Sequence, residues 1–432
     1  MQGRSRGLVP TVLASAVSLA GCNGLTGSGA DQRNPAGTGG LPAAVAQAEA
    51  ARAPVDPAIV MADNTLGLSL LDTLIPSNGD SNICISPLSA AMALQVLYNG
   101  AQGGTQQAMG RALDLGSLSV QAMNVDNAAL EAALIDPDPD VTLTVANSLW
   151  IDRSSYPVNS AFTQADETYY GATVGDLAGA PANINAWVDT ATHGLIPQIL
   201  PPDLPPSDFR VAIIANTLYF KGEWTTGFDP RLTFAGAFML SDGGSVSADL
   251  MSRAGTIPYL EGTVHGSRFQ ALRLPYGEGR LSMLIVLPAA GTPIGPFVAG
   301  ITPADLTKWG AVLEPTSISL ALPRFKANYS QDVVAALTTL GMGIAFDPQA
   351  ADFAGLAPGA YVSHVFHSTE VEVGESGTTA AAGTVVAVTT TVAGPPATVT
   401  VNRPFFYAIQ DDATGELLFI GILMNPAESA AG

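Results

Sequence analysis

The stretch Gly374-Glu375-Ser376-Gly377-Thr378 sets a serine among glycines, the kind of spacing a nucleophile elbow uses to expose a serine Oγ on a strained turn. That device needs glycine in the fifth position and an amphipathic helix behind it. Thr378 stands there instead, and an Ala/Thr/Val run follows, so Ser376 is not read as catalytic. The four histidines, His193, His265, His364 and His367, offer no better start. None has a partner at ligand spacing, so no metal is expected. His367 lies in SHVFHSTEVEV, a β-like run in which a hydrogen-bonded core histidine is the ordinary reading. HExxH, CxxC, P-loop and dinucleotide fingerprints are absent, and no cofactor is expected. The residue chemistry excludes most enzyme classes and names none.

Composition narrows the partners. The chain has 432 residues, 47% of them hydrophobic, which is ample for one large domain or two to three smaller ones. Acidic residues number 37 against 17 Lys and Arg, for a net charge of -20. The only lysines are Lys221, Lys308 and Lys326. Without clustered Lys/Arg the chain is not expected to bind nucleic acid, and no basic stripe is evident for a heparin-like polyanion.

At the N-terminus, Arg4 and Arg6 precede an apolar run from Leu8 to Ala20, and Leu19 to Cys22 reads LAGC. The run is too short to span a bilayer as a mature helix and reads as a secretory signal. LAGC resembles the bacterial lipobox, which implies cleavage after residue 21 and a lipid on Cys22; an ordinary signal peptide containing a cysteine is the alternative. The expected location is the cell envelope, on the outer membrane or cell surface, or else outside the cell altogether. Residues 22–57 are rich in Gly, Pro and Ala and read as a tether. Cys84, in SNICISPLSAAMAL, is expected to be a buried free thiol.

Residues 58–427 read as one domain, with 428–432 as a tail. Helical spacing dominates its first third, in PLSAAMALQVLY, NAALEAALI and NINAWVDTATHGLIPQIL. Strand patterns follow in VTLTVANSLWI, VAIIANTLYF, FQALRLPY, LSMLIVLP and SISLALPRF. SQDVVAALTTLGM predicts a helix ending at Gly341, and the tail returns to strand in VTVNRPFFYAIQ and LLFIGILMNP. Helices first and long strands later, without regular alternation, indicate an α+β fold.

The chain resembles the serpin family over nearly all of residues 60–426. The resemblance rests on NICISPLSAAMAL (82–94), YNGAQGGT (98–105), VANSLWI (145–151), IANTLYFKGEWTTGFDP (214–230), LRLPYGEGRLSMLIVLP (272–288), VEVGESGTTAAAG and VTVNRPFFYAI, in the family's order. It implies a helical lobe around a large central mixed β-sheet, smaller sheets, and an exposed reactive-centre loop at about 375–398. It further implies a polar shutter at Asn82, Ser86, Ser89, Asn216 and His367, a breach tryptophan at Trp224, and a loop hinge at Glu375 and Gly377 through Thr378, Thr379, Ala380, Ala381, Ala382 and Gly383. Ser86 and Ser89 can also be read simply as caps of a helix starting at Pro87. Many serpins pair the loop-base glutamate with a lysine near position 292; AAGT supplies none, which leaves Glu375 without that partner.

An inhibitory serpin inserts its cleaved loop as a strand, so every second loop residue must tolerate burial. One set is Thr378, Ala380, Ala382, Thr384, Val386 and Val388; the other is Thr379, Ala381, Gly383, Val385, Ala387 and Thr389. Neither holds a charge, and no proline interrupts before Pro395. Insertion is therefore permitted, and a monomeric suicide substrate that captures its protease as a covalent acyl complex is expected, not an enzyme. The scissile bond is expected among Thr390, Thr391, Val392 and Ala393. Their small aliphatic side chains suit an elastase-like or subtilisin-like serine protease, since a trypsin-like pocket needs Lys or Arg. A non-inhibitory serpin fold serving as a surface binding or adhesion module is the alternative.

Overall fold

The computed structural model describes residues 54–135, 138–201, 212–378 and 397–428. Its helices are α1 (Pro57–Asn78), α2 (Pro87–Tyr98), α3 (Gly103–Ala112), α4 (Val120–Leu134), α5 (Ser160–Tyr170), α6 (Ala182–Ala191), α7 (Ile294–Val298), α8 (Pro303–Val312) and α9 (Val334–Leu337). Its first strands are β1 (Ile83–Ile85), β2 (Val141–Ile151), β3 (Thr173–Asp176), β4 (Ala212–Glu223) and β5 (Phe234–Met239). Then come β6 (Ser245–Val264), β7 (Ser267–Tyr276), β8 (Leu281–Pro288), β9 (Glu314–Pro323) and β10 (Phe325–Asp332). The last are β11 (His364–Val373), β12 (Gly377–Thr378), β13 (Ala397–Thr400), β14 (Phe405–Asp411) and β15 (Leu417–Leu423).

Local chemistry explains the helical starts. Asp56 accepts the backbone N–H of Ala58 at 2.9 Å ahead of Pro57, and Ser86 accepts that of Ser89 ahead of Pro87. α1 was not singled out by spacing, because its apolar residues run nearly all round. It is long and apolar enough to cross a membrane, yet most of that window is buried, with Ile59, Leu66, Leu70 and Leu71 in the core. Burying each such side chain contributes about 1.5–3 kcal/mol.

Two sheets enclose the main core. The central sheet is mixed, in the order β10-β11-β12-β4-β2-β3. The other runs β1-β15-β14-β8-β7-β6-β9-β13, with β5 on β6, for nine strands. The smaller sheets expected from the sequence are continuous here because the 20 residues of β6 pair with β7, β9 and β5 along their length. On β4, Ile214, Leu218 and Phe220 face the main core, where α2 lies against the sheet, whereas Ile213 and Ala215 pack outward with Phe366, Ile184 and Val188 beside α6. The helix expected from Ser330 is shorter than its pattern suggests: β10 keeps Ser330 to Asp332 paired with β11, and the helix begins at Val334. Gly341 then takes φ +99°, which turns the chain out of the helix.

Candidate functional site

Among the described residues, the central sheet is closed at one end and open along its middle. β11 and β4 run parallel and pair at four rungs, from His364 with Ile213 to His367 with Asn216. Beyond these, and among the described residues, 368–372 pair with β10 and 217–221 with β2, but not with each other. At the far end β12 fills the space between them, Thr378 lying opposite both Val373 and Gly222, and Gly377 opposite Glu223. β12 is antiparallel to both neighbours. The result is a slot bounded by paired strands at one end and by two seated residues at the other.

The segment that looked like a nucleophile elbow is the turn leading into that seat. Gly374 and Gly377 exchange backbone hydrogen bonds at 2.9 and 3.3 Å across Glu375 and Ser376. Three successive carbonyls of the turn are then captured. Trp224 donates its indole N–H to Gly374 O at 2.9 Å and its backbone N–H to Ser376 O at 2.8 Å, and Phe228 N–H donates to Glu375 O at 2.8 Å. Trp224 is held for this by stacking on Tyr276, with centroids 4.3 Å apart. Gly377 must be glycine: its φ is +156°, and a Cβ there would collide with the backbone of Gly222 and Glu223.

Glu375 has a charged partner, and it comes from the link between the two sheets. Its Oε1 accepts from Arg324 Nε at 2.7 Å and from Thr233 Oγ1 at 2.6 Å, and it forms an ion pair with Arg324 Nη2. Burial opposes ionisation, but the bonds from Arg324 and Thr233 outweigh it, and the carboxyl sits below its usual value. No lysine near position 292 takes this role; the partner arrives instead between β9 and β10, where no local spacing announces it. Thr378 is fully buried, with Oγ1 2.6 Å from the Tyr276 hydroxyl.

The closed end is polar and buried. His367 is 2% exposed, and burial pulls its imidazole down to about 4, so the ring is neutral near pH 7. Its Nε2 accepts the backbone N–H of Ser86 at 3.1 Å, which places its proton on Nδ1. Thr369 Oγ1 donates to Cys84 O at 2.6 Å. Ser86 both caps α2 and faces His367, so the two readings of this serine coexist. Ser89 is fully buried one turn into that helix. Asn82 holds a different place: its side chain accepts from Met424 and Asn425 N–H and donates to Asn425 O, tying β1 to the end of β15. The backbone of Asn216 lies on the last closed rung opposite His367. Cys84 is buried and free, with burial raising its thiol to about 11. Thr379 to Gly383, Thr390 to Ala393 and Cys22 lie outside the described residues. No metal-holding group of His, Cys, Asp and Glu occurs among the described residues.

The central sheet thus parts between two parallel strands and seats Gly377 and Thr378 at the far end of the parting. The family model for serpins, described as serine protease inhibitors, matches residues 61–426. The chain belongs to the serpin family, a class of inhibitors rather than proteases. It is 29% identical over 373 residues to glia-derived nexin of Rattus norvegicus, covering 83% of this chain and 91% of that protein. Macrophage plasminogen activator inhibitor 2 of Mus musculus is 28% identical, with 85% and 99% covered. The native structure of tengpin, a thermophilic serpin, superposes with a TM-score of 0.77 at 28% identity, covering 86% of this chain and 95% of that one.

Proposed function

We propose that this chain is a single-use inhibitor of elastase-like or subtilisin-like serine proteases, held at the cell envelope by a lipid on Cys22. The observation that carries the reading is the seat of Gly377 and Thr378 at the mouth of a slot whose two walls, among the described residues, do not pair with each other. Extending their register sets Ala380 between Val371 and Phe220, and Ala382 between Thr369 and Leu218, where both face the core. Small side chains fit there, and each new ladder hydrogen bond contributes about 1 kcal/mol net.

The chemistry belongs to the protease. Its serine attacks the carbonyl of one residue among Thr390, Thr391, Val392 and Ala393. The peptide C–N bond breaks, the amine leaves with a proton from the protease histidine, and an ester joins the two proteins. Release of the loop lets 379 onward zip into the slot. Continuing past Gly383 requires the four rungs between His364–His367 and Ile213–Asn216 to part. The protease is dragged along and its deacylation geometry is lost.

Incubation of the full chain with an elastase, followed by a denaturing gel, tests this. A band at the summed mass, resistant to boiling in detergent, is expected. Clipped chain alone, with the protease fully active, would overturn inhibition and favour a non-inhibitory binding module.

A further inference from the structure

A cavity of about 350 Å³ shares no lining residue with the slot or the hinge. Its walls are largely apolar, built from Ile75 of α1, Leu240 after β5, Ile294 of α7, Ile422 of β15 and Met424. That size lies within the span of small-molecule sites, about 300–1,000 Å³. The charged lining residues are Arg403 and the exposed Asp80.

Arg403 is the informative one. It is half-buried, and its bonds go to neutral acceptors: Nε donates to Pro288 O at 2.8 Å and Nη1 to Asn402 Oδ1 at 3.4 Å. Among the described residues no carboxylate lies within ion-pair distance of it. Desolvation pulls its guanidinium below the usual value. A cation removed from water beside hydrocarbon, without a counter-charge, is costly until an anion joins it. Guanidinium pairs best with a planar carboxylate, through two parallel hydrogen bonds. Arg403 also borders a second, more open cleft, whose lining adds Glu261, Arg268 and Gln270 to the apolar Phe269 and Leu287.

We propose that the cavity binds a small amphipathic carboxylate of the fatty-acid class, its head on Arg403 and its chain against Ile75, Leu240, Ile294, Ile422 and Met424. Arg403 follows β13 closely, and Met239 N–H donates to Asn402 O at 2.8 Å, so the occupant bridges the end of the loop-bearing segment to β5, α1 and α7. A ligand that binds only the folded state raises its stability by mass action. The inference stands apart from protease inhibition.

The test is calorimetric titration of the full chain with decanoate below its micellar concentration, and with decanol as the uncharged control. Saturable decanoate binding and a raised thermal midpoint are expected, with decanol weaker by about tenfold or more. Arg403→Gln should bring decanoate down to the level of decanol and leave decanol unchanged. Ser241→Trp, an exposed position on the rim, should weaken both. Absence of saturable decanoate binding, equal affinity for the two probes, or binding indifferent to Ser241→Trp would each overturn the proposal. The last of these decides the matter even where Arg403→Gln does not fold.

Discussion

Two kinds of buried ionisable residue set the pH response, and they act in opposite directions. Asp63 of α1 is fully buried, receives Gln95 Nε2 of α2 at 2.7 Å, and burial raises its carboxyl to about 8. Glu416, placed beside it because Asn64 clasps the backbone of Gly415 and Leu417, is raised as well, by burial first and then by Asp63 and Asp411. Arg280 pairs with Asp411 rather than with Glu416, and from α5 the buried Tyr170 and Asp166 add no cation. A carboxyl whose folded value lies above its unfolded value binds more protons when native, so its contribution is complete below about pH 4 and is lost as pH rises through about 8. His367 has the reverse sign, being depressed: its contribution is complete above 6.5 and is lost as pH falls toward 4. Asp63→Asn is expected to flatten the loss of stability between pH 4 and pH 8, measured by urea midpoints; an unchanged slope would clear the pair of that role. Arg324→Ala should lower native stability by about 1 kcal/mol, the modest value reflecting the partial exposure of Arg324, by stripping Glu375 of its charge partner. The urea midpoint reads this too.

At the scale of elements, β12 and the slot beside it decide whether cleavage becomes capture. Ala380→Arg is expected to leave loop cleavage intact and abolish the covalent complex, because insertion in the register of Thr378 would bring that position inward between Val371 and Phe220. Retained stoichiometric inhibition would show that the register assigned from Thr378 is wrong. Gly377→Val should act one step earlier, by denying β12 its approach to Gly222. Much of this was legible in the sequence. Period-two spacing and the uncharged run after Glu375 mark a segment able to become a strand, and VTLTVANSLWI coincides with β2 from end to end. What escaped reading depends on contact across sheets. Arg324 and Thr233 reach Glu375, and Tyr276 reaches Thr378, through folding that brings together residues 51, 142 and 102 positions apart. α1 escaped for a different reason: a helix buried on most sides has no polar stripe to reveal its period.

For the whole molecule, inhibition by strand insertion needs a native state that is not the most stable arrangement of the chain. The slot between residues 217–221 and 368–372 leaves backbone groups on facing strand edges without each other as partners. Filling it with the loop, as proposed, would add ladder bonds on both sides of each new residue, and the native form would then persist through a kinetic barrier. His367 and Ser86 lie at the last closed rung, where that barrier must first give way. The most direct measurement is the thermal midpoint of the chain before and after a protease cuts it within residues 390–393. Insertion predicts a rise of about 10 °C or more, as some ten ladder bonds of about 1 kcal/mol each are gained. A midpoint that stays in place, or falls, after complete cleavage would contradict strand insertion and with it the proposed mode of inhibition.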